Sequence, residues 1–264
     1  MKKQEIDVLY VGEHYLVTRI TSCGFDSITH TNDLADLSHD LMKALSSDPA
    51  VRPHHMPCHV AFRAFPSIVE ELNKYDVLIL SDIGATSLLF QAPAAYSRGA
   101  APNRLEVIRE FVRAGNGLLM NGGWFTFSGY NGMGRWHNTP VEDVLPVDFQ
   151  NCDDRVEGGG NTFRLKTVRT HHPVMSGIPW EEMPGVLGYN KAATLKSDAL
   201  MLAKFGNDPA IAVREYGKGR TMIYASDPAP DWAGPSDAAK GYFRNWKYYS
   251  KFWVQAVKWL ARRS

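Results

Sequence analysis

The sequence predicts an α/β fold built on a doubly wound parallel sheet, on three observations. Four short apolar runs, Ile6–Val11, Tyr75–Leu80, Gly117–Met120 and Thr221–Ala225, each end on glycine or a polar turn. Continuous apolar runs of this length are what parallel strands covered on both faces look like. Segments with helical spacing lie between the first three runs, and alternating strands and helices joined by short turns imply a sheet wound on both sides. The 264-residue chain is 44% hydrophobic and 22% charged, so it can bury a core, and a disordered or low-complexity protein is excluded.

The elements follow in order. Ile6–Val11 is the first strand, followed by Gly12-Glu13-His14. Asp33 caps a predicted helix through about Leu45, with Leu34, Leu37, Leu41 and Leu45 on one face. Val51–Val60 reads as a strand with a proline-interrupted edge. Phe65–Asn73 reads as a short helix leading into Tyr75–Leu80, which ends on Ser81-Asp82-Ile83-Gly84. Asn103 caps a helix carrying Leu105, Ile108 and Val112, and Gly115 stops it before Gly117–Met120 and the turn Asn121-Gly122-Gly123.

From about 153 to 220 the pattern turns β-rich. Asp153–Asn161, with Gly158 to Gly160, reads as a loop, and Thr162–Val168 and Ala210–Glu215 as short strands. Tyr216–Arg220 is a turn joining two antiparallel strands. This stretch reads as an extension of one domain spanning 1–264. A final helix is predicted over about Gly241–Ala261, with Trp246, Tyr249, Trp253, Ala256 and Leu260 in an apolar stripe. Its seven Lys and Arg, from Lys240 to Arg263, read more simply as a solvated basic face than as a nucleic-acid or membrane surface.

Charge narrows the partners. Lys+Arg of 29 against Asp+Glu of 28 gives a net charge of +1, so no global electrostatic case exists for nucleic acid or an anionic membrane. No stretch approaches the roughly 18 apolar residues of a membrane span, and the first residues lack a signal-peptide pattern. The three cysteines, Cys23, Cys58 and Cys152, are widely spaced and form no disulfide framework. A cytoplasmic protein is the simplest expectation.

Ligands of open parallel sheets bind outside the carboxyl ends of the strands. The strand-end clusters therefore converge on one rim. Glu13, Asp82 and Asp227 are its candidate acid–base groups, and Gly84, Gly122, Gly123, Trp124, Asp227 and Trp232 its candidate ligand-binding residues. Taken singly, each Asp or Gly is more simply a turn residue. Together, Glu13, Asp82, Gly122, Trp124, Asp227 and Trp232 are expected to border a common pocket. Phe125, Phe127, Tyr130, Trp136 and Tyr189 lie in predicted loops nearby, and aromatic rings beside Asp and Asn suit a small polar molecule or a carbohydrate. Cys23 is placed near the rim, just after the first strand. A soft metal site of Cys58 with His54, His55 and His59 is disfavoured, because alternate strand residues face opposite sides. His171-His172-Pro173 reads as a structural turn. No metal or cofactor is expected.

The segments YDVLILSDIGATSLL, VRAGNGLLMNGGWFTFSGY, TPVEDVLPV, HPVMSGIPW and YGKGRTMIYASDPAPDW, followed by the aromatic helix, resemble the class I glutamine amidotransferase-like proteins over about residues 5–262. The resemblance implies a flavodoxin-like fold, shared with the middle domain of some β-galactosidases. Enzymes of that superfamily carry a nucleophilic cysteine at a sharp strand-to-helix turn, activated by a histidine. The matching turn here, Met120-Asn121-Gly122-Gly123-Trp124, has no cysteine. Asp227 stands where the histidine belongs, and the glutamate of the His-Pro-Glu segment is missing. Glutamine hydrolysis is therefore not expected. The favoured expectation is a ligand-binding or assembly module, with a homo-oligomer as candidate state. The alternative is an enzyme using Asp82, Asp227 or Glu13 as acid or base.

Overall fold

The computed structural model describes residues 5–90, 102–158, 163–234 and 242–263. Its main sheet begins with β1 (Ile6–Gly12), whose seven residues are all buried. Beyond it, β2 (His14–Cys23) and β3 (Asp26–Asp36) form a separate two-stranded ribbon. Helix α1 (His39–Leu45), β4 (Val51–Met56), α2 (Cys58–Ala64), α3 (Val69–Leu72), β5 (Val77–Ser81), α4 (Ala85–Leu89), α5 (Arg104–Ala114) and β6 (Gly117–Asn121) follow. Helix α6 (Pro140–Val144) leads into the β-rich stretch: β7 (Val147–Asp148), β8 (Arg155–Glu157), β9 (Leu165–Thr167), β10 (Gly188–Asn190), β11 (Thr194–Leu195), β12 (Leu200–Phe205) and β13 (Asp208–Tyr216). The chain closes with β14 (Gly219–Tyr224), α7 (Pro230–Ala233) and α8 (Tyr249–Leu260).

The eight-stranded sheet has the order β4-β1-β5-β6-β14-β13-β12-β9. Its first five strands are mutually parallel, and the last three run antiparallel. Counted along the chain, the parallel strands lie 2-1-3-4-5, the flavodoxin order, with its switch point between β1 and β5.

Side-chain alternation splits the core in two. Ile6, Val8 and Tyr10 of β1, Ile79 of β5 and Tyr224 of β14 face α1 and α8. Leu9, Val11, Leu78, Leu80 and Ile223 face the opposite layer, where α5 and α6 bury Ile108, Phe111, Val112 and Val141. Helix α5 starts as its sequence requires: the Asn103 side chain accepts from the Leu105 N–H at 3.0 Å, and Gly115 ends it at φ 128°.

Four sequence readings are corrected. Residues 33–36 belong to β3, and the helix begins only at His39. The β-branched residues of 17–21 and 28–31 favour an extended ribbon, so the Leu34-to-Leu45 spacing crosses from strand to helix and leaves Leu34 exposed. The strand read as Val51–Val60 stops at Met56, because Pro57 opens α2: its carbonyl accepts the N–H groups of Val60 and Ala61, both at 2.9 Å. The last helix begins at Tyr249, after a 3-10 turn over Phe243–Asn245, with Trp246 buried ahead of it. Gly241 and Lys240 lie outside the described residues, as do residues 159–161 of the glycine-rich loop; Arg155–Glu157, also read as loop, form β8.

The basic face of the last segment is largely neutralised within the fold. Arg244 pairs with Asp40 at 2.7 Å, Lys258 with Asp48 at 2.5 Å, and Lys247 with Glu182 at 3.2 Å. Among the described residues, no helix is long and apolar enough to cross a membrane.

Candidate functional site

The site forms where β1 and β5 end side by side. Their register pairs Gly12 with Ser81, which brings the next residues, Glu13 and Asp82, together at the switch point. Both adopt left-handed backbone conformations, φ 51° and 45°, unusual outside glycine and concentrated at functional sites. Gly12 must be glycine: at φ 123°, a Cβ would lie 1.7 Å from the Ser81 carbonyl oxygen.

The third carboxylate arrives from β14, two strands away from β5. Gly122 permits this approach, since a Cβ there would lie 2.2 Å from the Ala225 carbonyl oxygen. A Cβ on Gly123 would lie 2.6 Å from Asp82 Oδ1. The glycines at the turn thus make room for the carboxylate rather than present N–H groups to a ligand. The Gly122 N–H donates to the carbonyls of Tyr224 and Ser226, and the Gly123 N–H to Asn190 Oδ1 at 2.8 Å. The result is Glu13, Asp82 and Asp227, each buried, with one oxygen of each within 4.8 Å of the others.

Hydrogen bonds differentiate the three. Asp82 Oδ1 accepts the Phe125 N–H at 2.5 Å, while Oδ2 accepts the Tyr15 hydroxyl. Glu13 Oε1 accepts the Ser81 hydroxyl at 2.6 Å, which in turn accepts the Asn121 amide at 3.3 Å. Asp227 Oδ1 accepts the Ala229 N–H at 2.6 Å. Burial, and then mutual repulsion with Asp227 and Asp82, pushes the Glu13 carboxyl well above its usual range. Burial and the Asp82 charge do the same to Asp227. Asp82 is pushed up only to about 6: burial raises it, while the bonds from Tyr15 and Phe125 hold it down.

Burial and mutual repulsion thus disfavour three charges at once, and Asp82, whose two oxygens both accept hydrogen bonds, is displaced least. Three convergent carboxyl oxygens are also the donor set a hard divalent cation takes. Among the described residues this is the one cluster of at least three His, Cys, Asp or Glu placed to hold an ion.

Asp82 opens onto a cavity of about 400 Å³, lined also by His14, Tyr15, Cys58, His59, Gly84 and Phe125. A second cleft of about 270 Å³ is lined by Trp124, Trp232, Glu157 and Asp231. There both indole N–H groups donate to Glu157 Oε1, at 2.9 and 3.0 Å. The expected common pocket is thus two cavities, and neither is lined by Glu13, Asp227 or Gly122. Gly84 borders the first, and the two tryptophans border the second.

Of the other aromatics, Phe127, Trp136 and Tyr189 are core residues, whereas Trp124 and Tyr130 stack at 5.4 Å beneath the Arg155 guanidinium. Cys23 is exposed at the far end of the ribbon, away from the rim. Cys58 lines the first cavity from α2, but burial pushes its thiol up to about 11, which keeps it protonated. His55 is bound to the Gly12 carbonyl at 2.8 Å and His54 to Asp7 at 3.2 Å, so these histidines do not gather around Cys58. His172 packs its ring 5.0 Å from Trp259, as a structural turn would.

Sequence reasoning placed Asn121 on the rim and Ser81 at a strand end, but missed Tyr15, Asp154 and Asn190. The last two pin the turn after β6: the Asn190 amide donates to Asp154 at 2.8 Å, and Asp154 accepts the N–H groups of Ser128 and Gly129. Tyr15 was findable in principle, two residues beyond Glu13 and aromatic, but nothing in its spacing links it to Asp82.

Comparison with known proteins places this arrangement. The family described as "Putative glutamine amidotransferase" matches residues 7–262. Cytoplasmic Protein STM3548 from Salmonella typhimurium is 35% identical, with a TM-score of 0.87 over 96% of this chain and 98% of that one. Cytoplasmic Protein STM1381 from Salmonella typhimurium LT2 is 31% identical, with a TM-score of 0.87 over 97% and 99%. A ThuA-like protein from Bacteroides uniformis ATCC 8492 shares the fold alone, at 11% identity and a TM-score of 0.55 over 98% of this chain and 93% of that one. No curated protein matches the chain. Matched by that family model over nearly its whole length, and by two solved structures above 30% identity, the chain belongs to the glutamine amidotransferase-like family.

Proposed function

We propose that the protein is an acid–base enzyme acting on a small, neutral polar molecule, with the Asp82–Tyr15 pair in place of a cysteine nucleophile. The observation that carries this reading is a carboxylate poised at about 6, bonded to a tyrosine hydroxyl, with both groups lining one cavity. A general base works best with a pKa near the operating pH. A perturbed carboxyl lining a concave pocket favours catalysis over a passive binding or assembly role.

Asp82 accepts the Tyr15 proton as Tyr15 takes one from the substrate, so no free phenolate forms. The reverse transfer, from Asp82 to Tyr15 and from Tyr15 to the product, returns both groups to their starting states, and Glu13 Oε2 lies 3.4 Å from the same hydroxyl. Among the described residues the cavity lining includes neither Lys nor Arg, so none of these offers a phosphate or carboxylate substrate a permanent countercharge. A neutral hydroxyl- or carbonyl-bearing molecule, sugars included, suits it better. The volume of about 400 Å³ lies within the range of small-molecule sites.

The test needs no known substrate to begin. A carbon-13 titration of the Asp carboxyls should show one resonance titrating near pH 6 that disappears in Asp82→Asn. A screen of neutral polyols, sugars and hydroxy-carbonyl compounds should then give turnover that Asp82→Asn and Tyr15→Phe each abolish. Titration of Asp82 below pH 4, or turnover undiminished in both variants, overturns the reading.

A further inference from the structure

We propose that Glu13, Asp82 and Asp227 bind a hard divalent cation of calcium's size, seated where the carboxyl ends of β1, β5 and β14 meet. The convergent carboxyl oxygens are joined by a second feature, buried polar atoms beside them that have no hydrogen-bond partner.

The register places those atoms. Gly12 pairs with Ser81 and Leu80 with Met120, so Ser81 and Asn121 end neighbouring strands at one level. Tyr10, Ile79 and Leu119 face the layer of α1 and α8, and alternation puts Ser81 and Asn121 on that same face. Tyr10, Ser81 and Asn121 are all fully buried. Ser81 has one hydroxyl proton and gives it to Glu13 Oε1, so its oxygen accepts from Asn121 Nδ2. That fixes the amide and leaves Asn121 Oδ1 as an acceptor. Among the described residues, neither Asn121 Oδ1 nor the Tyr10 hydroxyl has a hydrogen-bond partner. Burial raises the Tyr10 hydroxyl, and the charges of Glu13 and Asp227 raise it further, which sets it against the same cluster.

Asn121 Oδ1 is the telling atom. An amide oxygen only accepts hydrogen bonds, as do ionised carboxylates, so these groups cannot satisfy one another. Buried polar atoms nearly always have partners, and buried carboxylates are paired or coordinate metals. After burial, the neighbours that displace these carboxyls are themselves acidic: Asp227 and Asp82 act on Glu13, and Asp82 and Asp231 on Asp227. A cation supplies what both the carboxyls and the orphaned acceptor lack. The donors are all oxygens, without His or Cys, which suits calcium, magnesium or manganese rather than zinc. Oxygens on opposite sides of a calcium ion lie about 4.6–5.2 Å apart, against about 4.0–4.2 Å for magnesium. The 4.8 Å within which the three carboxyl oxygens lie accommodates the larger ion. Its consequence rests on the acid–base reading of Asp82. An oxygen held by the cation cannot accept the Tyr15 proton, so the loaded state is the inactive one and the cation regulates the site.

Mn²⁺ added to the full chain after EDTA treatment and desalting, with the free ion followed by electron paramagnetic resonance, tests the site without a substrate. Wild type should bind one Mn²⁺ per chain, displaced by Ca²⁺ ahead of Mg²⁺. Glu13→Gln, Asp227→Asn and Asn121→Ala should each weaken binding by about tenfold or more, with unchanged far-ultraviolet circular dichroism. Cys58→Ser, in the wall of the neighbouring cavity, should bind as wild type does. Should the buried variants misfold, a Ca²⁺-dependent rise in the wild-type Tm is the second readout. Wild type that binds no Mn²⁺ at millimolar concentration and gains no Tm from Ca²⁺ overturns the proposal. So does binding undiminished in Glu13→Gln and Asp227→Asn. The carbon-13 titration, run in EDTA, separates the two readings. Asp82 titrating near 6 in a protein that binds no cation removes the cation site alone. Tight Mn²⁺ binding with Asp82 titrating below pH 4 in EDTA removes the acid–base reading and leaves the site.

Discussion

Replacing Asp82 by Asn should stabilise the protein at neutral pH and leave it nearly unchanged in acid. An ordinary aspartate ionises near 3.8, whereas Asp82 in the fold ionises near 6. The folded chain therefore binds this proton more tightly than the unfolded chain. The stability this gives is fully present below pH 3.8 and is lost as pH rises through about 6. At about 1.4 kcal/mol for each tenfold change in proton affinity, ionised Asp82 costs the folded state about 3 kcal/mol. Asparagine is close to isosteric: its oxygen can still accept the Phe125 N–H, and its amide can donate to Tyr15. Urea unfolding of both proteins at pH 4 and pH 7.5 reads the difference. The variant should exceed wild type by up to about 3 kcal/mol at pH 7.5, and the gap should close toward pH 4. Glu13 and Asp227, displaced in the same direction, add to the loss in wild type as pH rises further. A wild type that gains stability between pH 4 and pH 7.5, or a difference independent of pH, would refute the reasoning. Either would mean that the cluster ionises without penalty, as it would around a bound cation.

Other outcomes follow from the packing. Gly122→Ala should destabilise the fold by about 1–3 kcal/mol or more in urea unfolding, because the added carbon meets backbone at Ala225 rather than a movable side chain. Asn103→Ala should remove the α5 cap and lower stability by about 1 kcal/mol, seen as a lower Tm. Iodoacetamide at pH 7.5 should alkylate the exposed Cys23 and Cys152 well before Cys58, as mass spectrometry would show. No ammonia should be released from glutamine, and Cys23→Ser should not change that result.

The parallel strands were legible because burial on both faces writes itself as an unbroken apolar run. The ribbon was not. Its Leu34 sits at helical spacing from Leu37, Leu41 and Leu45, and periodicity cannot tell an exposed leucine from a buried one. The carboxylates were legible for a different reason: strand ends in a parallel sheet share a rim, so an acid after β1, β5 or β14 is placed by topology alone. What the rim rule lacks is depth. It anticipated a pocket bordered by Glu13 and Asp227, whereas both are buried and, among the described residues, Asp82 is the one of the three that lines a cavity. Tyr15 lies 67 residues from Asp82 in the chain, and its hydrogen bond depends on how the ribbon leaves β1, which no local pattern encodes.

The turn after β6 links family and chemistry. In the superfamily this chain resembles, that turn presents a cysteine side chain; here Asp82 occupies the space beside it. The φ of 155° at Gly123 and the 2.6 Å from its would-be Cβ to Asp82 mean that a side chain and the carboxylate cannot both be accommodated. A side chain at position 123 and the Asp82 carboxylate are thus mutually exclusive in this fold. Reinstating a cysteine at position 123 would displace Asp82 from the Phe125 N–H and the Tyr15 hydroxyl, the two bonds that keep it ionisable near neutral pH. Such a variant would lose the carboxylate–tyrosine pair. By the resemblance, Asp227 stands where a histidine would be needed to activate the sulfur. The elbow of this protein is a cradle for a carboxylate, and the chemistry proposed for Asp82 depends on that cradle.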